Sequence, residues 1–149
     1  MHEGSDTLEA ERSSLFLVED GEVWTRVAKG VDGEIRLPLD GPPGTESLVA
    51  SCVKARAVVN IPDAYADARF NRKFDVESGF RTVSILCVPI FEATHEGQDT
   101  KDRAVVGAVQ FINKRAKGSA AAFGEWDERA AKMLATHVAI FLDDVLDDD

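Results

Sequence analysis

Cysteine is scarce in this chain: Cys52 and Cys87 are the only two in 149 residues, both lie in apolar stretches, and they form no C-x-x-C. That pattern argues against a disulfide framework and for buried thiols in a reducing compartment rather than a redox centre. Histidine is nearly as rare. His2, His95 and His137 do not pair at metal-ligand spacing, so a metal-dependent hydrolase centre has no ligand set. Glycine-rich phosphate loops and a Ser-His-Asp order are missing too, and the chain is expected not to be an enzyme and to hold no metal or prosthetic group. Positive charge is in deficit: 17 Lys and Arg stand against 27 Asp and Glu, a net charge of -10 with a pI near 4.7. Phosphate-backbone recognition requires clustered cations, so nucleic acid is not an expected partner. No run of about 18 apolar residues is available to span a bilayer, and the first residues lack the charged-then-apolar order of a signal peptide. A cytoplasmic protein is the expectation.

Apolar material is ample. At 149 residues and 44% hydrophobic, the chain can form one compact domain that buries roughly 70% of the surface of its unfolded form. No repeat or long linker divides it, so residues 1–149 read as a single domain. Thr7 to Arg12 reads as the last turns of a helix, and Ser13 to Glu19 then alternates as a strand, with Ser14, Phe16 and Val18 on one face. Asp20-Gly21 is a hairpin turn, and Val23 to Ala28 and Glu34 to Leu39 are strands joined across Asp32-Gly33. A helix capped at Thr45, Glu46 or Ser47 runs to about Ala55. Arg56 to Ile61 is a short strand stopped by Pro62, and Phe70 to Gly79 contains about two helical turns ended by Gly79. Thr82 to Phe91 is apolar in both rows, as in a central strand covered on both sides. The polar run Glu92 to Asp102 is a surface loop. Arg103 to Lys114 is the partner strand, with Ala104, Val106, Ala108, Gln110 and Ile112 on one face. The final helix occupies about Phe123 to Val145, and Trp126, Ala130, Met133, Leu134, Val138, Phe141 and Val145 follow helical spacing as its apolar stripe.

The stretch Asn60 to Ile90 is the most informative, because a strand end, a proline turn, an amphipathic helix and a buried strand in succession can build a lid over a small-molecule pocket. A second pattern joins it: Asn113-Lys114, a gap, then Phe123, Asp127 and Glu128 as F-x-x-x-D-E. Together these passages resemble the GAF domains of cyclic-nucleotide phosphodiesterases and related cyclases. The resemblance implies an α/β (α+β) fold, GAF/PAS-like, with a central, mostly antiparallel six-stranded sheet and helices on both faces. It also implies an excised piece of a longer signalling protein, with an attached effector domain, that binds cAMP or cGMP as an allosteric ligand and forms a homodimer through its terminal helices. By resemblance Ser47 to Ala50 matches the segment that opens a helix above the phosphate, making Leu48 and Val49 candidates for backbone contacts. Asn71, Asp75 and Ser78 match positions contacting ribose or phosphate, and Thr82 follows them. Ser14 and Gln110 match polar positions on the sheet floor. Guanine-selecting relatives often place an aspartate where Ala28 and Lys29 stand, and a cationic donor at Lys29 complements adenine N1, a lean to cAMP. Asn113, Lys114, Phe123, Asp127 and Glu128 are read as architectural, with Lys114 pairing to Asp127.

The sequence departs from the family pattern at Ser47, where glycine is usual, at Asn71, where an aromatic is usual, and at Ala28. These departures keep open a second reading, a GAF dimerisation module without ligand, with Ala131, Ala135 and Leu142 as its seam. A third is a GAF-type methionine sulfoxide reductase acting through Cys52 or Cys87.

Overall fold

A computed structural model describes residues 9–25, 35–39, 47–70, 72–93, 103–116 and 119–146. Among the described residues, seven strands form one sheet in the order β3-β2-β1-β6-β5-β4, with a short β7 beside β6. They are β1 (Ala10–Glu19), β2 (Glu22–Thr25), β3 (Ile35–Pro38), β4 (Val59–Ile61), β5 (Ile85–Phe91), β6 (Val105–Ala116) and β7 (Ser119–Ala121). All the observed pairings are antiparallel. The sixth expected strand is therefore joined by a seventh, the three-residue β7, too short to carry an alternation signal. The described α-helices are α1 (Leu48–Ala55), α2 (Lys73–Ser78) and α3 (Glu125–Leu146).

Local chemistry explains most boundaries. Asp20 and Gly21 both take positive φ, 51° and 78°, the pair a two-residue hairpin needs for its twist. Ser47 caps α1, its Oγ accepting from the Ala50 N–H at 3.0 Å and satisfying one of the helix's orphan donors. At the other end Arg56, not glycine, adopts the left-handed cap, φ 57°. That turn delays β4 to Val59, three residues later than the alternation implies. Ala10 to Arg12, expected to end a helix, belong to β1, because Ala10 and Arg12 lie opposite Lys114 and Ile112 of β6.

The core has two layers. On one face α1 packs on Phe16, Val59, Ile61, Ile85, Cys87 and Ala108; on the other α3 packs on Leu86, Val88, Ile90, Val109 and Phe111. Ala108 faces α1 as expected, but Val106 packs with the α3 layer and Val105 with the α1 layer. A register shift at Ile90/Phe91 inverts the alternation there, since one extra residue exchanges the faces.

The last helix presents the opposite face from the one expected. Ala131, Ala135, Ala139 and Leu142 are buried against the sheet, whereas Trp126 is 73% exposed and Met133 and Phe141 each 64%. The proposed seam is core, and most of the proposed core stripe faces outward. Large side chains already project from the strands beneath, so small alanines let the helix approach.

Candidate functional site

The lid begins after β4 with a 3-10 turn, Ala64–Ala66, and continues through α2. Within Phe70 to Gly79, where about two helical turns are expected, α2 has six residues and ends where Gly79, φ 78°, bonds back to the Asp75 carbonyl. Its inward carboxylate, Asp75, is 4% exposed. Asp75 Oδ2 accepts from the Tyr65 hydroxyl at 2.9 Å and the Thr82 N–H at 2.7 Å, and Oδ1 accepts from the Thr82 hydroxyl at 2.8 Å. Three donors thus satisfy a buried charge that would otherwise be costly. Burial, then the Asp75 hydrogen bond, raises the Tyr65 phenol above its ordinary pKa. The guanidinium groups of Arg72 and Arg81 lie 4.6 and 4.2 Å from the Tyr65 ring centre. Ser78, exposed, accepts from the Phe80 N–H at 3.2 Å.

Thr82, Val83 and Ser84 do not join β5, which starts at Ile85. Side chains hold them, together with backbone bonds from the Ala64 N–H to the Val83 carbonyl at 2.7 Å and from the Asn113 N–H to the Ser84 carbonyl at 2.8 Å. Asn113 Oδ1 accepts from the N–H groups of Val83 at 2.6 Å and Ser84 at 3.3 Å, while its Nδ2 donates to the Arg81 carbonyl at 2.9 Å and to Glu11 at 3.0 Å. A positive φ of 63° at Asn113 turns the amide into this position, a conformation asparagine tolerates better than most residues. The Ser84 hydroxyl donates to the Ala121 carbonyl at 2.7 Å and accepts from the Lys114 N–H at 3.1 Å.

Lys114 Nζ then meets Asp127 Oδ1 at 2.7 Å, with side-chain exposures of 13% and 7%. The second oxygen of Asp127 accepts from the Gly124 N–H at 2.7 Å, capping the start of α3. Glu128 accepts from Asn60 Nδ2 at 2.7 Å, and the same amide donates to the Phe123 carbonyl at 3.0 Å. Phe123 itself is buried beneath α3. The five residues of the N-K, F-x-x-x-D-E pattern therefore converge on one junction joining the lid, β4, β6, β7 and α3.

On the sheet floor Ser14 lies opposite Gln110, and Gln110 opposite Cys87, so the three share the α1 face. Gln110 Nε2 reaches Cys87 Sγ at 3.5 Å. Both thiols are fully buried. Desolvation pushes Cys87 up to about 12 and raises Cys52 further still, which leaves little thiolate near neutrality for a sulfoxide-reductase step. Leu48 and Val49 occupy the first turn of α1 and are buried. Lys29 and Asn71 lie outside the described residues.

Residues 1–142 match the GAF domain family. The chain is a GAF domain. It is 33% identical over 140 residues to the dual 3',5'-cyclic-AMP and -GMP phosphodiesterase 11A of Takifugu rubripes, covering 85% of this chain and 14% of that protein. The match to the cGMP-specific 3',5'-cyclic phosphodiesterase of Drosophila erecta is 33% over 85 residues, 57% of this chain and 7% of that protein. The GAF domain thus spans a small part of the relatives it matches, and it is homologous to their regulatory rather than their catalytic region. Among solved structures, the GAF domain of the Acinetobacter phosphoenolpyruvate-protein phosphotransferase superposes with a TM-score of 0.65 at 20% identity, covering 97% of this chain and 79% of that one. A type II free methionine-R-sulfoxide reductase from Thermoplasma acidophilum gives a TM-score of 0.65 at 16% identity, over 94% and 84% of the two chains. These likenesses concern the fold.

Several residues that organise this GAF domain were not singled out from sequence: Glu11, Asn60, Tyr65, Arg81 and Ser84. Asn60 carried a signal, a lone amide in the apolar run Val58 to Ile61. Ser84 carried one as well, a small hydroxyl entering a strand otherwise apolar on both faces.

Proposed function

We propose that this GAF domain is a regulatory cyclic-nucleotide sensor of a cytoplasmic 3',5'-cyclic-nucleotide phosphodiesterase, with cAMP slightly favoured over cGMP through Lys29. Kinship to two cyclic-nucleotide phosphodiesterases supports the parent enzyme. The observation that carries the regulatory reading is a relay of hydrogen bonds and peptide links from Asp75 to Thr82, from the adjoining Val83 and Ser84 to Asn113, from Ser84 to the Lys114 backbone, and from the Lys114 side chain to Asp127 at the start of α3. The proposed ligand shell is Ser14, Lys29, Leu48, Val49, Asn71, Asp75, Ser78, Thr82 and Gln110. First-turn N–H groups of α1 suit a singly charged phosphate, because helix starts present unsatisfied donors and positive potential. Gln110 can exchange its long contact with Cys87 for a better acceptor on a purine. Thr82 donates both its groups to Asp75; a nucleotide that takes either donor loosens the Asp75 clasp and moves residues 82–84. That segment is tied to α3, so binding biases the helix that leads to an effector domain.

Isothermal titration of the domain with cAMP and cGMP tests this. Saturable binding of either, weakened by Thr82→Val, is the expected result. Binding of neither tighter than about 100 micromolar, a free energy of about 5.5 kcal/mol, would favour the alternative of a ligand-free dimerisation module. One observation favours that alternative: the outward row of Trp126, Met133, Leu134, Ile140 and Phe141 on α3, since apolar patches of this kind mark contact surfaces.

A further inference from the structure

On the α3 side of the sheet, away from the lid, lies a cavity of about 660 Å³. Its walls are the α1–β4 turn at Arg56, Ala57 and Val58, the end of β5, Ala93 and Arg103, and one flank of α3. The opening exists because β4 pairs only Ile85 to Cys87 of β5. Pro89, beyond that pairing, has no N–H to offer another strand. Alanines at 135 and 139 keep the α3 wall thin, and their small size alone would mean nothing without the groups around them. The size falls within the range of small-molecule sites.

The chemistry of the walls is uneven. Val58, Val88, Pro89, Ala135, Ala139 and Ile140 supply an apolar body. Among the described residues the charged lining is Arg56, Arg103 and Lys132, with no carboxylate, in a chain whose formal net charge is -10. The cations come from three separate elements and two are held in place. The guanidinium groups of Arg56 and Arg103 stand 5.1 and 5.5 Å from the centre of the Phe91 ring, within cation–π range. Arg103 also donates to the Glu92 carbonyl at 3.4 Å. Thr136, the uncharged polar side chain in the lining, donates its hydroxyl to the Lys132 carbonyl at 3.1 Å. A purine edge needs acceptors as well as donors, and apart from Thr136 the polar side chains among the described lining are cations; the Phe91 ring already has two guanidinium neighbours.

From this combination we infer that the cavity is a second ligand site, for an amphipathic monoanion: a single-chain carboxylate of fatty-acid type, its tail along the α3–β5 wall and its head among Arg56, Arg103 and Lys132. A helix from a second copy is the weaker occupant, because the outward apolar row of α3 shares only Ile140 with the cavity wall. The site is independent of nucleotide binding at the lid.

Titration calorimetry of the whole chain with dodecanoate, decanoate and dodecanol, each below its aggregation threshold, tests the inference. Dodecanoate should bind one to one. Decanoate, two methylenes shorter, should bind about 15-fold more weakly, and dodecanol at least tenfold more weakly. Arg103→Gln and Lys132→Gln should each weaken dodecanoate at least threefold and leave dodecanol unchanged. Thr136→Trp, at an exposed position on the cavity rim, should block both ligands while the circular dichroism stays that of the parent. Equal affinity for dodecanol and dodecanoate, indifference to both cation substitutions, absence of binding, or uptake that tracks dimer formation would each overturn the assignment. Because neither cation lies on the lid face, cAMP and cGMP titrations of Arg103→Gln should match the parent. A loss there would also count against a separate site.

Discussion

Removing the Asp75 carboxylate separates a lid held by its own side chains from one held by a ligand. In Asp75→Ala the Thr82 N–H and hydroxyl lose their acceptor in a setting where Thr82 is 4% exposed. The half-buried Tyr65 hydroxyl can turn to water instead. Hydrogen bonds to a charged acceptor contribute about 1.5–3 kcal/mol each, and an orphaned buried donor costs about 1–3 kcal/mol. These terms overlap, and with Tyr65 rehydrated a net loss of about 2–4 kcal/mol remains. For a domain near 150 residues that corresponds to a fall in Tm of about 4–16 °C. Asp75→Asn keeps one acceptor oxygen for the Thr82 N–H and should lose about half as much. Differential scanning fluorimetry reads the Tm; hydrogen exchange should show residues 80–84 opening while the α3 amides stay protected. An Asp75→Ala domain whose Tm stays within about 1 °C of the parent, yet fails to bind a nucleotide that the parent binds, would refute the reasoning. Asp75 would then serve the ligand and not the clasp.

Three further outcomes follow from the geometry. Lys114→Met should cost about 3–5 kcal/mol by chemical denaturation, since it leaves the buried Asp127 carboxylate without its cation; a loss under about 1 kcal/mol would mean the pair behaves as a solvated one. Gly107→Ala should destabilise strongly, because a Cβ there falls onto the backbone carbonyl of Phe16 across the β1–β6 ladder; a denaturation midpoint equal to the parent's would show that the strands can part at no cost. For the thiols, burial raises both above their unfolded value near 9, with Cys87 at about 12. Protons are therefore held more tightly by the folded chain, and the thiols' contribution to stability should be constant below about pH 9 and decline between about 9 and 12. Cys87→Ala should reduce that alkaline slope, and iodoacetamide at pH 8 should label neither thiol until denaturant is added.

What could be read from sequence was what local rules govern. The helix cap, the Asp20-Gly21 hairpin and the left-handed Gly79 each depend on a few neighbouring residues; the hairpin and Gly79 stand where expected, and the cap falls on Ser47, one of the three candidates Thr45, Glu46 and Ser47. The Lys114–Asp127 pair was legible because the motif preserves its spacing. The lid clasp was not: the span from Tyr65 through Asp75 to Thr82 crosses a 3-10 turn, a six-residue helix and a stretch outside the ladder, and no periodicity runs through such a passage. Thr82 to Ser84 alternate like strand residues, yet the Thr82 and Val83 N–H groups go to the Asp75 and Asn113 side chains, and only the Ser84 carbonyl takes a backbone bond from β6, at Asn113. Alternation records which face a side chain takes and says nothing about what its backbone bonds to. The proposed ligand shell depends further on Lys29 and Asn71, outside the described residues.

The inverted face of α3 has a different origin. Ranking helical stripes by bulk selects Trp126, Met133, Leu134 and Phe141 as core, on the premise that burial follows hydrophobicity residue by residue. Burial also has to fill a fixed volume at crystal-like density. The strands beneath α3 already project Leu86, Val88, Ile90, Val109 and Phe111 into the interface, so the space left accommodates Ala131, Ala135 and Ala139, and a bulkier stripe would lift the helix away. The larger residues are then displaced outward by packing, and five of them on one helix are more apolar surface than isolated exposure accounts for. If that row is a contact between copies, Met133→Glu should turn a dimer into a monomer in sedimentation at unchanged Tm of the isolated fold, because Met133 is 64% exposed. A Tm that fell with the dimer intact would instead place Met133 inside the domain's own packing, and the bulk-ranked stripe would have been right after all.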